Sequence, residues 1–195
     1  MRYSDTHKEE TRQKVVSAAA AAVRAKGPEG VGVAEIMAGA GLTHGGFYAH
    51  FASKEALVAA AVEEAFRESR ERFIRLTAGL DGPQAFCAFV DSYVSMTHRA
   101  RPDGGCPIVM LSSDLPRQGE AVRAVFQGGV QRLIARLAAW LPTGGEDERL
   151  RLAASLLAEM AGAVSLSRAM SDDEAAERLL ADARHSIKTR AGVLP

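Results

Sequence analysis

Val33-Ala34-Glu35-Ile36-Met37-Ala38-Gly39-Ala40-Gly41-Leu42-Thr43-His44-Gly45-Gly46-Phe47-Tyr48-Ala49-His50-Phe51 decides the fold of this chain. Ile36 and Ala40 share one face of a short helix expected over 33–39. Gly41 supplies the turn, with a positive φ that other residues resist. Leu42 plugs that turn, Thr43 is placed to cap a second short helix, and Phe47 and Phe51, four residues apart, anchor it. The pattern is a helix-turn-helix. Its free face is then His44, Gly45 and Tyr48, a surface suited to a major groove. Gly45 and Gly46 each cost a helix about 1 kcal/mol relative to Ala, so a backbone that must approach something closely is implied.

Outward from this stretch nearly every segment carries a helical period, and the expected fold is all-α with about nine helices. Thr6 or Ser4 can cap a first helix over 7–26, whose inner stripe is Val16, Ala19 and Val23 and which Gly27-Pro28 ends. Ser53 caps a long helix running to about Leu76, and Gly79-Leu80-Asp81-Gly82-Pro83 breaks the chain after it. Phe86, Phe89, Tyr93 and Met96 are expected to form one apolar helix face. Arg101-Pro102-Asp103-Gly104-Gly105 is a loop, and Pro107 suits the first turn of a short helix. Helices are expected over 117–141, 147–170 and 172–191. Their stripes are Phe126, Val130, Leu133, Leu137 and Leu141; Ala153, Leu157, Met160 and Val164; and Ala176, Leu180, Ala183 and Ile187. The division expected is a helix-turn-helix domain over 1–54 and a second helical domain over 55–195.

The 195 residues carry 24 Lys+Arg and 24 Asp+Glu, and 47% are hydrophobic, the composition of an ordinary globular chain. Overall neutrality argues against nucleic acid only if charge is evenly spread. Residues 1–54 hold seven basic side chains against five acidic ones, and His7, His44 and His50 besides; the remainder is mildly acidic. A DNA footprint needs a basic face, not a basic protein. The polar N-terminus does not read as a signal peptide. The longest apolar runs, Ala18–Val23 and Leu57–Val62, are six residues long against the roughly 20 a bilayer span needs, so no membrane association and a cytoplasmic location are expected. Cys87 and Cys106 are the only cysteines and lie in no metal-ligand spacing, so neither a metal nor a cofactor is expected.

From about Thr11 to Val62, and above all over Gly41-Leu42-Thr43-His44-Gly45-Gly46-Phe47-Tyr48-Ala49-His50-Phe51-Ala52-Ser53-Lys54-Glu55-Ala56-Leu57, the chain resembles the N-terminal DNA-binding domain of TetR/AcrR-family transcriptional regulators. The resemblance implies a homodimeric, cytoplasmic repressor that binds a palindromic DNA operator and is released by a small-molecule effector. It implies DNA contacts from Thr43, His44, Gly45, Tyr48 and His50, with Lys54 on a phosphate at the start of the following helix. Tyr48 could instead be a half-buried ring and His50 a plain surface residue. Met37 departs from the small residue such motifs place against the second helix, which implies a slightly wider crossing.

Effectors in this family bind between the middle helices, which makes Phe66, Phe89, Tyr93, Met110 and Phe126 candidate wall residues for an apolar or amphipathic molecule; the same aromatics would otherwise be core. Cys106 opens a helix whose positive end would lower its thiol pKa, making it a candidate redox sensor, with a small buried plug as the plain alternative. The last two helices, about 147–191, carry small-residue stripes and correspond to the family's dimer interface, although packing within one chain would use them equally well. Two other classes remain open: an architectural DNA-binding protein without an effector, and a small helical enzyme built on Cys106 or a histidine. No base partner stands in catalytic spacing to support the enzyme.

Overall fold

The computed structural model describes residues 2–101 and 103–194, with side chains from His7 onward. Over these residues the elements are α1 (Arg2–Lys26), α2 (Val33–Gly39), a 3-10 helix (His44–Ala49), α3 (Lys54–Leu76), α4 (Gly82–Tyr93), α5 (Met96–Arg99), α6 (Pro107–Leu111), a 3-10 helix (Leu115–Arg117), α7 (Glu120–Trp140), α8 (Glu146–Ala169) and α9 (Asp173–Arg190). No strand occurs among the described residues. The all-α expectation holds.

Local chemistry accounts for most of the boundaries. Gly27 takes φ +74° just beyond α1, the left-handed residue that closes a helix. Ser53 caps α3, its hydroxyl accepting from the Ala56 amide at 3.1 Å, and Asp81 caps α4 by accepting from the Gln84 amide at 2.8 Å. The side chains of Ser4 and Thr6 lie outside the described residues, and α1 begins at Arg2 rather than near residue 7. The expected face of four residues is divided. Phe86, Phe89 and Tyr93 are fully buried on α4, but Met96 belongs to α5. The Ser95 hydroxyl breaks the helix between them by accepting from the His98 amide and donating to the Ser92 carbonyl. α7 likewise starts later than expected, because Gly119 is extended and the preceding Leu115–Arg117 forms its own 3-10 turn.

α3 is the spine of the molecule, packing on α1 and on α7, while α7 packs on α8 and α8 on α9. One apolar core runs from Val15 through Leu57, Phe89, Leu137 and Met160 to Ile187. The expected stripes of α1 and α8 supply it, as do Leu180 and Ile187 of α9, with Ala183 half-buried against it and Ala176 buried outside that cluster. α8 is also long and apolar enough, by length and composition, to cross a membrane; here it packs between α7 and α9. Polar clamps tie the helix-turn-helix region to the rest. Arg24, only 5% exposed, donates from Nε to the Asp103 carbonyl and pairs with Glu68 at 2.6 Å. Gln118 donates to Glu29 at 2.8 Å.

Candidate nucleic-acid interface and effector cavity

The helix-turn-helix is built as its residues require. Gly41 turns the chain with φ +75°, Ile36 and Met37 are buried, and Phe47 and Phe51 stack at 5.7 Å. The second helix differs from the expectation. It is a 3-10 segment, and Thr43, although extended at the capping position, accepts no hydrogen bond through its side chain. Two consecutive glycines weaken α-helical propensity there, and Thr43 is exposed. Gly46 sits opposite Met37. A Cβ at Gly46 would reach ordinary contact with Met37 Cε at 3.7 Å. At Gly45 nothing lies within 4 Å of where a Cβ would be.

Thr43, His44, Gly45 and Tyr48 are all exposed. Tyr48 is 74% exposed, its ring meeting Phe47 edge-on at 5.1 Å, so it is not the half-buried ring that was the alternative. His50 and Lys54 are half-buried at its edge, and His50 Nδ1 is buried without a hydrogen-bond partner. From Ile36 to Lys54 the sequence holds no acidic residue, and the preceding Glu35 is paired with Lys26. The stretch therefore brings no carboxylate of its own to repel phosphate.

A cavity of about 480 Å³ lies between α3 and α7, within the size range of small-molecule sites. Two helical repeats face each other across it: Glu63, Phe66, Arg67, Arg70 and Phe73 from α3, with Thr77 just past its end, and Gly129, Arg132, Leu133, Arg136 and Trp140 from α7. Phe89 of α4 closes one side, with ring centroids 4.4 Å from Phe73 and 5.9 Å from Trp140. Of the five expected wall residues, Phe66 and Phe89 line the cavity. Phe126 stands behind Phe66 at 5.7 Å. Tyr93 is fully buried behind Phe89 at 5.4 Å, and Met110 packs elsewhere, against Arg168. The arginines, Trp140 and Gly129 were missed by the sequence reading, although the i, i+3/i+4, i+7 spacing on both helices carries their signal.

Cys106 lines this cavity and also a second, small one of about 60 Å³ bordered by Arg72, Ser92, Thr97, His98 and Arg101. Its electrostatics reverse the expectation. The residue is 2% exposed, and burial pushes the thiol up from its usual range, outweighing hydrogen bonds from its neighbours. α6 is also only one short turn, too short for a strong dipole. Next to it stands a group the sequence reading passed over. The Cys106 amide donates to His98 Nε2 at 2.9 Å, which requires the proton on Nδ1, and Nδ1 donates to the Tyr93 carbonyl at 2.7 Å. Burial lowers the His98 pKa to about 4, so the ring is a neutral clamp between α4 and the start of α6.

Residues 15–61 match the model of bacterial regulatory proteins of the tetR family, and residues 82–183 match that of the tetracyclin repressor-like C-terminal domain. The chain is 26% identical over 191 residues to the HTH-type transcriptional repressor NemR of Escherichia coli strain K12, covering 93% of this chain and 96% of that one. Among solved structures, a TetR transcriptional regulator from Chloroflexus aurantiacus J-10-FL superposes with a TM-score of 0.78 at 31% identity, over 97% of this chain and 96% of the other. The reduced form of Escherichia coli NemR has the same fold, with a TM-score of 0.75 at 24% identity over 90% of this chain and 96% of the other.

Proposed function

The chain belongs to the tetR family of bacterial regulatory proteins, and from that membership we propose a homodimeric repressor of a palindromic operator, released when a small molecule enters the α3–α7 cavity. It is a transcriptional regulator, and a DNA-bound regulator of a bacterium acts in the cytoplasm. The observation that carries the operator reading is the exposed, acid-free group of Thr43, His44, Gly45 and Tyr48, held out by the buried Phe47 and Phe51. In this reading residues 1–54 read DNA and 55–195 bind effector and partner. The open space at Gly45 lets backbone approach a base edge, His50 contributes from the border, and Lys54 meets a phosphate at the N-terminus of α3.

Dimerisation is proposed through α8 and α9. The outward face of α8 is apolar and small, with Ala158, Ser165, Leu166 and Ala169 exposed and Leu166 62% accessible. Half-sites of a palindrome lie one DNA turn apart, about 34–36 Å, and need two recognition segments, which a dimer supplies. Few cations stand near the reading face, so a shallow salt dependence goes with this picture.

For the effector, Phe66 and Phe89 are proposed as wall contacts, with Phe126 and Tyr93 as the layer behind them, while Met110, packed against Arg168, is left outside this cavity. Cys106 stays in the reading as a candidate sensor of a restricted kind. It is almost fully buried and borders the cavity, so only an oxidant or electrophile small enough to enter would reach it.

The test is operator selection from a random DNA pool, followed by gel-shift at fixed salt and sedimentation of the free protein. An enriched palindrome, one dimer per site, and release by a cavity ligand are expected. Loss of specific binding altogether would refute the repressor reading. Specific binding indifferent to every cavity ligand would favour an effector-independent architectural protein instead.

A further inference from the structure

We propose that the effector is an anion: an apolar, partly aromatic body bearing a carboxylate head that docks on Arg70 and Arg136. This rests on the reading of the α3–α7 cavity as the effector site and adds the charge of the ligand to it. Four guanidinium groups, Arg67, Arg70, Arg132 and Arg136, border the cavity against one carboxylate, Glu63. Two of the four are already satisfied. Arg67 pairs with Glu64 at 2.7 Å and Glu71 at 2.5 Å, and Arg132 pairs with Glu63 at 3.0 Å. Arg70 and Arg136 make no ion pair among the described residues. Arg136 instead lies over the Trp140 ring, 5.9 Å from its centroid, at the boundary between charged rim and aromatic wall.

Two uncompensated cations at the mouth of an apolar cleft focus a positive potential into it. A guanidinium binds a carboxylate through two parallel N–H donors, a geometry that an alcohol only half fills and an ammonium group opposes. The body of such a ligand replaces water against Phe66, Phe73, Phe89 and Trp140 while its head stays at the rim. That division matches the division of the walls.

Trp140 is the only tryptophan of the chain and lies in the cavity wall, so its emission reports occupancy directly. The full-length protein is titrated with three probes sharing one body, 4-phenylbutyrate, 4-phenylbutan-1-ol and 4-phenylbutylamine, and with the same three heads on a ten-carbon chain. The carboxylate is expected to bind about tenfold tighter than the alcohol, the range of a charge-assisted hydrogen-bond pair partly screened by solvent, and the amine weakest. Arg70→Gln/Arg136→Gln, both on the exposed rim, should erase that tenfold preference by weakening the carboxylate far more than the alcohol, whose hydroxyl draws less from the two guanidinium groups. Equal affinity of alcohol and carboxylate, or a preference surviving the double substitution, overturns the anionic assignment alone. Absence of any Trp140 response to all six probes overturns the cavity reading itself, and this inference with it.

Discussion

Gly128 and Gly129 lie side by side in α7 and should respond in opposite ways to the same substitution. A Cβ at Gly129 would sit 2.4 Å from Cε2 of Phe66, with Cδ2 and Cζ of the same ring at 2.5 Å. Ordinary contact begins near 3.4 Å, so ring and helix must separate by about 1 Å. Phe126 stands behind Phe66, so its ring can yield only by turning off its packing toward the cavity it lines. At Gly128 the nearest atom is Arg132 Nη1 at 3.3 Å, the far end of a flexible side chain. Both substitutions gain about 1 kcal/mol of helix propensity. Only Gly129→Ala carries the overpacking cost of about 1–3 kcal/mol. Gly128→Ala is therefore expected to melt above the parent protein and Gly129→Ala below Gly128→Ala, at about 2–4 °C per kcal/mol for a chain of this size. Differential scanning calorimetry at one protein concentration measures it, since dimerisation would make Tm concentration-dependent. Adding Phe66→Leu to Gly129→Ala should narrow the gap, because the ring that clashes is gone. If Gly129→Ala melts at or above Gly128→Ala, the close approach of α3 and α7 that shapes the cavity is wrong.

Tyr48→Ala should weaken operator binding by about 1–3 kcal/mol in gel-shift assays while shifting stability by no more than about 0.5 kcal/mol, since the ring is exposed; unchanged operator affinity would remove Tyr48 from the DNA contacts. His98 protonates near pH 4 in the native protein and near 6.5 when unfolded, so the unfolded state holds the extra proton between those values. Stability should then fall as pH drops through that window, by about 3 kcal/mol in all, and be unaffected above it. Urea midpoints against pH measure this slope, and His98→Asn, which keeps a donor for the Tyr93 carbonyl, should flatten it. Glu68→Gln strips the counter-charge from the buried Arg24 guanidinium and should cost toward the lower end of about 3–5 kcal/mol, because Glu68 itself is 31% exposed. Glu71→Gln, which breaks only the exposed pair with Arg67, should cost under about 1 kcal/mol in the same unfolding measurement.

The helix-turn-helix and the nearly complete helix layout were legible in the sequence because their signals are local. Gly41, Leu42, Phe47 and Phe51 act within a dozen residues of one another, and Ser53 caps its own helix. The same locality misled at Met96 and Thr43. An apolar period continues across residues 86–96, and only the Ser95 hydroxyl breaks the helix beneath it. Thr43 has the right residue type for a cap, but the double glycine after it yields a 3-10 segment with no capping bond. Tertiary structure alone decided the chemistry of the second half. Cys106 at a helix start suggests a lowered thiol pKa, and burial among distant groups reverses the sign. His98 is neutral because it is buried, and it clamps because the chain returns the Cys106 amide to it. The cavity joins helices some sixty residues apart in sequence, and which of its arginines stay unpaired depends on where Glu63, Glu64 and Glu71 reach. Periodicity tells which face of a helix is apolar. What that face meets, and which charges it leaves uncompensated, is set by packing between segments that no local pattern relates.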